Sequence, residues 1–164
     1  MSNIPFPIKI NAELPINKLE KGLFVFMYRA TRIPPHLGII FNGKLYDITL
    51  QEPNLGVDAS EFLTSVIKKF TKTIFFEIQG SPNLNTQEIE SILLKNITRF
   101  RQVSENISCI APIKEIFREI YSINIQNVEF IFELLPLLKK NKLIKNTYHL
   151  NLERNITENI FLLT

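Results

Sequence analysis

The chain of 164 residues carries 19 basic and 16 acidic side chains, a net charge of +3, with 45% hydrophobic and 21% charged residues. That length and balance describe one domain able to bury a core without disulfides or metals, and the charge falls well short of a nucleic-acid-binding signature. The single cysteine, Cys109, excludes an internal disulfide and a cysteine-rich zinc site, and no apolar run approaches the roughly 20 residues of a membrane span.

Residues Met1 to Leu19 are punctuated by proline and are expected to run extended along the surface. No basic start followed by an apolar stretch opens the chain, so a cytoplasmic location is the default expectation, with delivery by a secretion machine or a virion compatible with it. Leu23 to Tyr28 is a continuous apolar run of strand length. Pro34-Pro35 stop any helix ahead of His36. Two strands then follow, His36 to Phe41 and Lys44 to Thr49, joined by Asn42-Gly43, a strong hairpin signal. After a loop containing Pro53 and Gly56, the spacing of Asp58 and Glu61 predicts a capped helix to about Phe70, burying Phe62, Val66, Ile67 and Phe70.

Thr73 to Gln79 is the next predicted strand. Asn85 and Glu88 repeat the capping pattern and open a helix to about Phe100, with Ile89, Ile92, Leu93, Ile97 and Phe100 at helical spacing. Polar residues 101–108 lead to Cys109, from which Ile110, Ile113, Ile116, Phe117 and Ile120 trace another helical face. Pro112 is acceptable there because it falls in the first turn. A further helix is expected over Asn127 to Lys140, and an edge strand over Tyr148 to Leu152. Strands crowd the first half and helices the second, which reads as α+β with a small antiparallel sheet packed with helices.

Three residues suggest chemistry. Cys109 stands at a helix start, where free amides stabilise a thiolate and can hold an oxyanion. An unpaired cysteine is more often a small buried hydrophobe, but polar Glu105, Asn106 and Ser108 argue for partial exposure. His36, one of two histidines beside His149, opens an apolar strand where a packing residue would be expected. Asp47 shares a strand face with apolar Leu45, an unusual place for a solvated carboxylate. In a tight hairpin Asp47 can orient His36, and Cys109 brought beside them would complete a nucleophile, base and orienter. No metal-ligand spacing is visible, so no cofactor is expected. The basic pairs Lys68-Lys69 and Lys139-Lys140 stand at helix ends, where they complement the helix dipole.

The stretches Ile16 to Phe26 and His36 to Asp47 resemble the central part of NlpC-type papain-fold proteins, whose histidine-bearing strand reads His-Val-Gly-Ile-Tyr. Because Cys109 follows these strands, in Asn106-Ile107-Ser108-Cys109-Ile110, the order resembles the circularly permuted branch that includes YiiX-like and lecithin:retinol acyltransferase-like proteins. The chain departs from the pattern at Leu23, where an aspartate is usual. The resemblance implies a papain-like core over about residues 16–121, a helical extension over about 122–164, and Cys109, His36 and Asp47 as nucleophile, base and orienter. It further implies a cysteine hydrolase or acyltransferase acting on peptide, isopeptide or acyl-ester substrates. The rival reading is a papain-like binding or structural module without catalysis, with the apolar helix Val128 to Leu138 as a partner surface. A third reading, contact with acidic lipid surfaces, has only scattered lysines to support it.

Overall fold

The computed structural model describes residues 5–164. The Asn-Gly turn organises it. Asn42 and Gly43 both adopt positive φ, 48° and 78°, the backbone of a type I′ turn whose twist matches that of paired strands. The turn joins β4 (His36–Phe41) to β5 (Lys44–Asp47) with Ile39 opposite Tyr46 and Ile40 opposite Leu45. Asn42 also clamps the preceding strand: its side chain accepts from the Gly22 N–H at 2.9 Å, and its own N–H donates to Gly22 O at 3.0 Å.

Around this hairpin lies a seven-stranded sheet containing also β2 (Ala12–Glu13), β3 (Leu23–Tyr28), β6 (Asn54–Asp58), β7 (Thr73–Ile78) and β8 (Ile144–Leu150), in the order β2-β8-β7-β3-β4-β5-β6. The β2–β8 pair is parallel and the others are antiparallel. A second sheet pairs β1 (Phe6–Lys9), β10 (Ile160–Leu163) and β9 (Ile156–Thr157). The protein is therefore α+β, with a main sheet that is larger than expected and mixed.

Side-chain alternation in β3 divides the core. Leu23, Val25 and Met27 face α2 (Thr86–Phe100), α3 (Ile110–Tyr121) and α4 (Ile131–Lys140), whereas Phe24 and Phe26 face α1 (Ser60–Lys68). Burial on both faces explains why β3 reads as an unbroken apolar run. The capping pattern at Asn85 is real. Asn85 accepts from the Glu88 N–H at 2.9 Å and Glu88 accepts from the Asn85 N–H at 3.1 Å. The expected apolar face of α3 is buried at Ile110, Ile113, Ile116, Phe117 and Ile120.

Other elements depart from expectation for identifiable reasons. Asp58 bonds the Ser60 N–H at 2.8 Å rather than that of Glu61, and α1 stops at Lys68. Phe70 then takes φ 51°, which turns it out of the helix and exposes it, and Ile67 within α1 is exposed as well, instead of buried. Residues 54–57, expected as loop, form β6 together with Asp58, the expected helix cap. The segment beyond residue 121 is less helical than expected. Its one α-helix is α4, which begins at Ile131 rather than Asn127, beside a short 3-10 helix at Glu153–Asn155, and β8 lies inside the main sheet between β2 and β7 instead of at an edge. The N-terminal stretch contributes β1 and β2, and its first four residues lie outside the described part. α4 is mainly core, burying Ile131, Leu134, Leu135 and Leu138. No helix among the described residues is long and apolar enough to cross a membrane.

Phe75 on β7 is fully buried between β3 and β8 on the α1 face. Phe75→Ala removes its packing and leaves a cavity, so a loss of about 3–5 kcal/mol is expected, read as a lowered urea midpoint at unchanged slope.

Candidate active site

His36, Asp47 and Cys109 come together at one end of the sheet. β4 starts there and β5 ends there, and the hairpin register sets Asp47 beside Gly38 on the face that also carries His36. The His36 Nε2 lies 2.7 Å from Asp47 Oδ2. A carboxylate only accepts, so Nε2 carries a hydrogen and donates it, which leaves Nδ1 for a second partner. Asp47 is 5% exposed, and its other oxygen, Oδ1, accepts from Asn54 Nδ2 at 2.6 Å. Both carboxylate oxygens are thus engaged, as burial of a charge requires.

Gly38 makes this arrangement sterically possible. A Cβ at that position would overlap the Phe26 ring and stand 2.9 Å from Asp47 Cβ. Phe26 in turn backs the imidazole edge-on, with ring centroids 5.9 Å apart.

Cys109 arrives from the other side of the sheet. α2 climbs to this end and α3 descends from it, so the intervening residues 101–109 cross the strand ends. They are held there by the parallel bridge of Thr49 with Gln102 and by the Val103 N–H donating to Thr49 O at 2.7 Å. Cys109 immediately precedes α3, is half-buried, and packs against the core under α2–α4. Cys109 is near enough to His36 to favour the charged imidazole.

Burial works against a charged His36. The hydrogen bond to Asp47 and the interactions with Cys109 and the Asp47 charge outweigh it and raise the imidazole to about 9. The arrangement can therefore hold a charged imidazole at neutral pH, with a carboxylate behind it and Cys109 nearby.

Asn54 was hidden from sequence reading, since Pro53 and Gly56 mark residues 50–57 as loop. Only the pairing of β6 with β5, which sets Asn54 opposite Asp47, reveals it. Among the described residues no cluster of three His, Cys, Asp or Glu side chains is placed to hold a metal ion. His149 stands apart from the site in β8, where its Nδ1 accepts from the Leu152 N–H at 3.3 Å. Two surface depressions, one along α1 at Ser60, Thr64 and Lys68 and one between Ala30, Asn155 and Phe161, are lined by none of Cys109, His36 and Asp47.

Comparison with protein-family models, with curated proteins and with solved structures finds no match to the chain.

Two outcomes are expected of the pair. His36 is more basic in the fold than its ordinary 6.5, so the stability it contributes is full below that pH and is lost as pH rises through about 9. His36→Gln should flatten that part of the stability–pH curve measured by urea unfolding. Asp47→Asn replaces the charged acceptor and should lower the His36 pKa by more than about one unit in a proton NMR titration.

Proposed function

We propose that the protein is a papain-like cysteine hydrolase or acyltransferase in which Cys109 is the nucleophile, His36 the base and Asp47 the group that orients the base. The single observation that carries this reading is that the His36 imidazole, bonded to a buried carboxylate, is also made more basic by the only thiol, Cys109, at the start of a helix. The permuted order of the three along the chain, noted from the resemblance, supports it further.

In this reading His36 takes the proton of Cys109, whose sulfur adds to the carbonyl carbon of a peptide, isopeptide or acyl ester. The backbone N–H of Cys109 at the helix start stabilises the oxyanion that forms. The tetrahedral intermediate collapses, the amine or alcohol leaves with a proton from His36, and a thioester remains on Cys109. His36 then takes a proton from water, or from an acceptor alcohol or amine, which attacks the thioester and releases Cys109. Asp47 holds the Nε2–H of His36 throughout, so that Nδ1 is the nitrogen that exchanges the proton with sulfur. Asn54 holds Asp47.

A non-catalytic binding module is the second reading, favoured by two surface depressions whose linings include none of Cys109, His36 and Asp47.

Alkylation separates them. Under the enzymatic reading, iodoacetamide modifies Cys109 rapidly at pH 7, and His36→Ala slows the reaction about tenfold or more and moves its pH profile upward. Asn54→Ala gives a smaller loss in the same direction. A slow thiol, indifferent to His36, overturns the enzymatic reading.

A further inference from the structure

We propose that the sheet end bearing His36 and Cys109 docks on an anionic lipid bilayer, seating apolar tips among the lipids and a basic collar against the headgroups. The alternating strand directions bring five chain segments to this end. β3 ends there at Tyr28, paired with His36, so residues 29–35 form one loop. Tyr28 also pairs with Thr73, which places the α1–β7 connection alongside, and the Ala30 N–H donates to Lys72 O at 2.8 Å. β8 leaves at Leu150, opposite Thr73. Residues 48–53 join β5 to β6, and residues 101–109 lie across Thr49.

Three of the four most exposed large apolar side chains among the described residues stand here: Ile33 at 76%, Leu50 at 73% and Phe70 at 77%. Each is on a different segment. Phe70 is the most telling, because its backbone is left-handed, φ 51°. Bulky residues are costly in that region and Asn or Gly would sit there more cheaply. The fold gains no packing in return, since the ring faces water.

Charge collects at the same end. Arg29 and Arg32 precede Ile33, Lys68 and Lys69 precede Phe70, and Lys72 follows it. Arg101 stands next to Gln102, whose side-chain amide donates to Leu50 O, and Arg154 is in the turn after β8. Lys68 closes α1; the other six basic residues lie in the five segments, which carry three acidic ones, Glu52, Glu105 and Glu153. These segments therefore hold a net +3, as large as the net charge of the whole chain. A polyanionic backbone such as nucleic acid would be served by the charges alone. Aliphatic and aromatic tips set among basic residues match a bilayer interface, which offers anionic headgroups over an acyl layer. This reading does not depend on Cys109 being a nucleophile, though it would present that site to the membrane.

The chain contains no tryptophan, so Phe70→Trp and Ile33→Trp each install a sole fluorescent reporter, with Leu94→Trp on α2 as control. The probes are vesicles of phosphatidylcholine with and without about 30% phosphatidylglycerol. Both tip reporters are expected to shift to the blue with anionic vesicles only, and the control is expected not to move. Co-sedimentation should fall about fivefold for each of Arg32→Gln and Lys69→Gln, and should weaken with added salt. Phe70→Ser and Ile33→Ser should lower it as well while leaving Cys109 alkylation and circular dichroism unchanged. Equal binding to both vesicles, no binding, or tip reporters that stay in water would overturn the proposal. So would binding to duplex DNA that Phe70→Ser leaves intact, which would reassign the collar to a polyanion.

Discussion

A buried carboxylate, Asp47, must be kept charged inside the protein, and much of the local architecture answers that need. Removing an anion from water costs several kcal/mol unless hydrogen bonds replace its hydration. Here one oxygen takes the His36 N–H and the other the Asn54 amide. Both donors come from strands adjacent to β5, one on each side, so the carboxylate depends on the three strands being in register. The type I′ turn at Asn42-Gly43 sets the first pairing. The second contains an irregularity between Leu45 and Tyr46, beyond which Asn54 falls opposite Asp47. A slip of one residue in either pairing would move a partner to the other face.

The same constraint reaches the core. Asp47 and His36 lie on the α1 face, where Phe26 would compete for the space if residue 38 had a side chain. Glycine is required there for room rather than for backbone freedom. Phe26 therefore serves two purposes: it fills the core beneath α1 and closes one side of the imidazole. Removal of water from that side strengthens the Asp47 hydrogen bond, which is one reason the imidazolium survives its burial. Cys109 depends on a different part of the fold. Its place follows from α2 and α3 running in opposite directions on the far face, which obliges the chain between them to cross the strand ends.

Local signals were legible wherever local chemistry decided the structure. The Asn42-Gly43 hairpin, the Asn85–Glu88 cap and the apolar face of α3 each have their causes within a few residues. The Asp47–His36 contact could be anticipated for the same reason, since a hairpin turns sequence spacing directly into geometry. What escaped depends on distant partners. β6 contains Gly56 and follows Pro53, so nothing within it signals a strand, and its pairing with β5 supplies the reason it exists. β8 was expected at an edge because it stands late in a helical half, yet β2 and β7 enclose it. Ile67 and Phe70 fit a helical stripe in sequence, but the helix stops at Lys68 and the left-handed turn at Phe70 breaks the stripe.

Charge distribution is the property least open to sequence reading, because no local rule says which loops share an end of a sheet. Lys68-Lys69 read alone is a helix C-terminus with favourable dipole contacts, and Arg29, Arg32, Arg101 and Arg154 read alone are ordinary surface residues. The strand pairings alone put them together: Tyr28 with His36 on one side and Thr73 on the other, and Thr73 with Leu150. Like charges gathered in this way repel, and fold stability alone would favour interspersed acids. The three exposed apolar tips at the same end add a second unfavourable term, since each leaves apolar surface in water that burial would have removed. Two costs that fall on the same end of the sheet, around a half-buried thiol and a charged imidazole, are easier to reconcile with a surface that is met than with one that is only solvated.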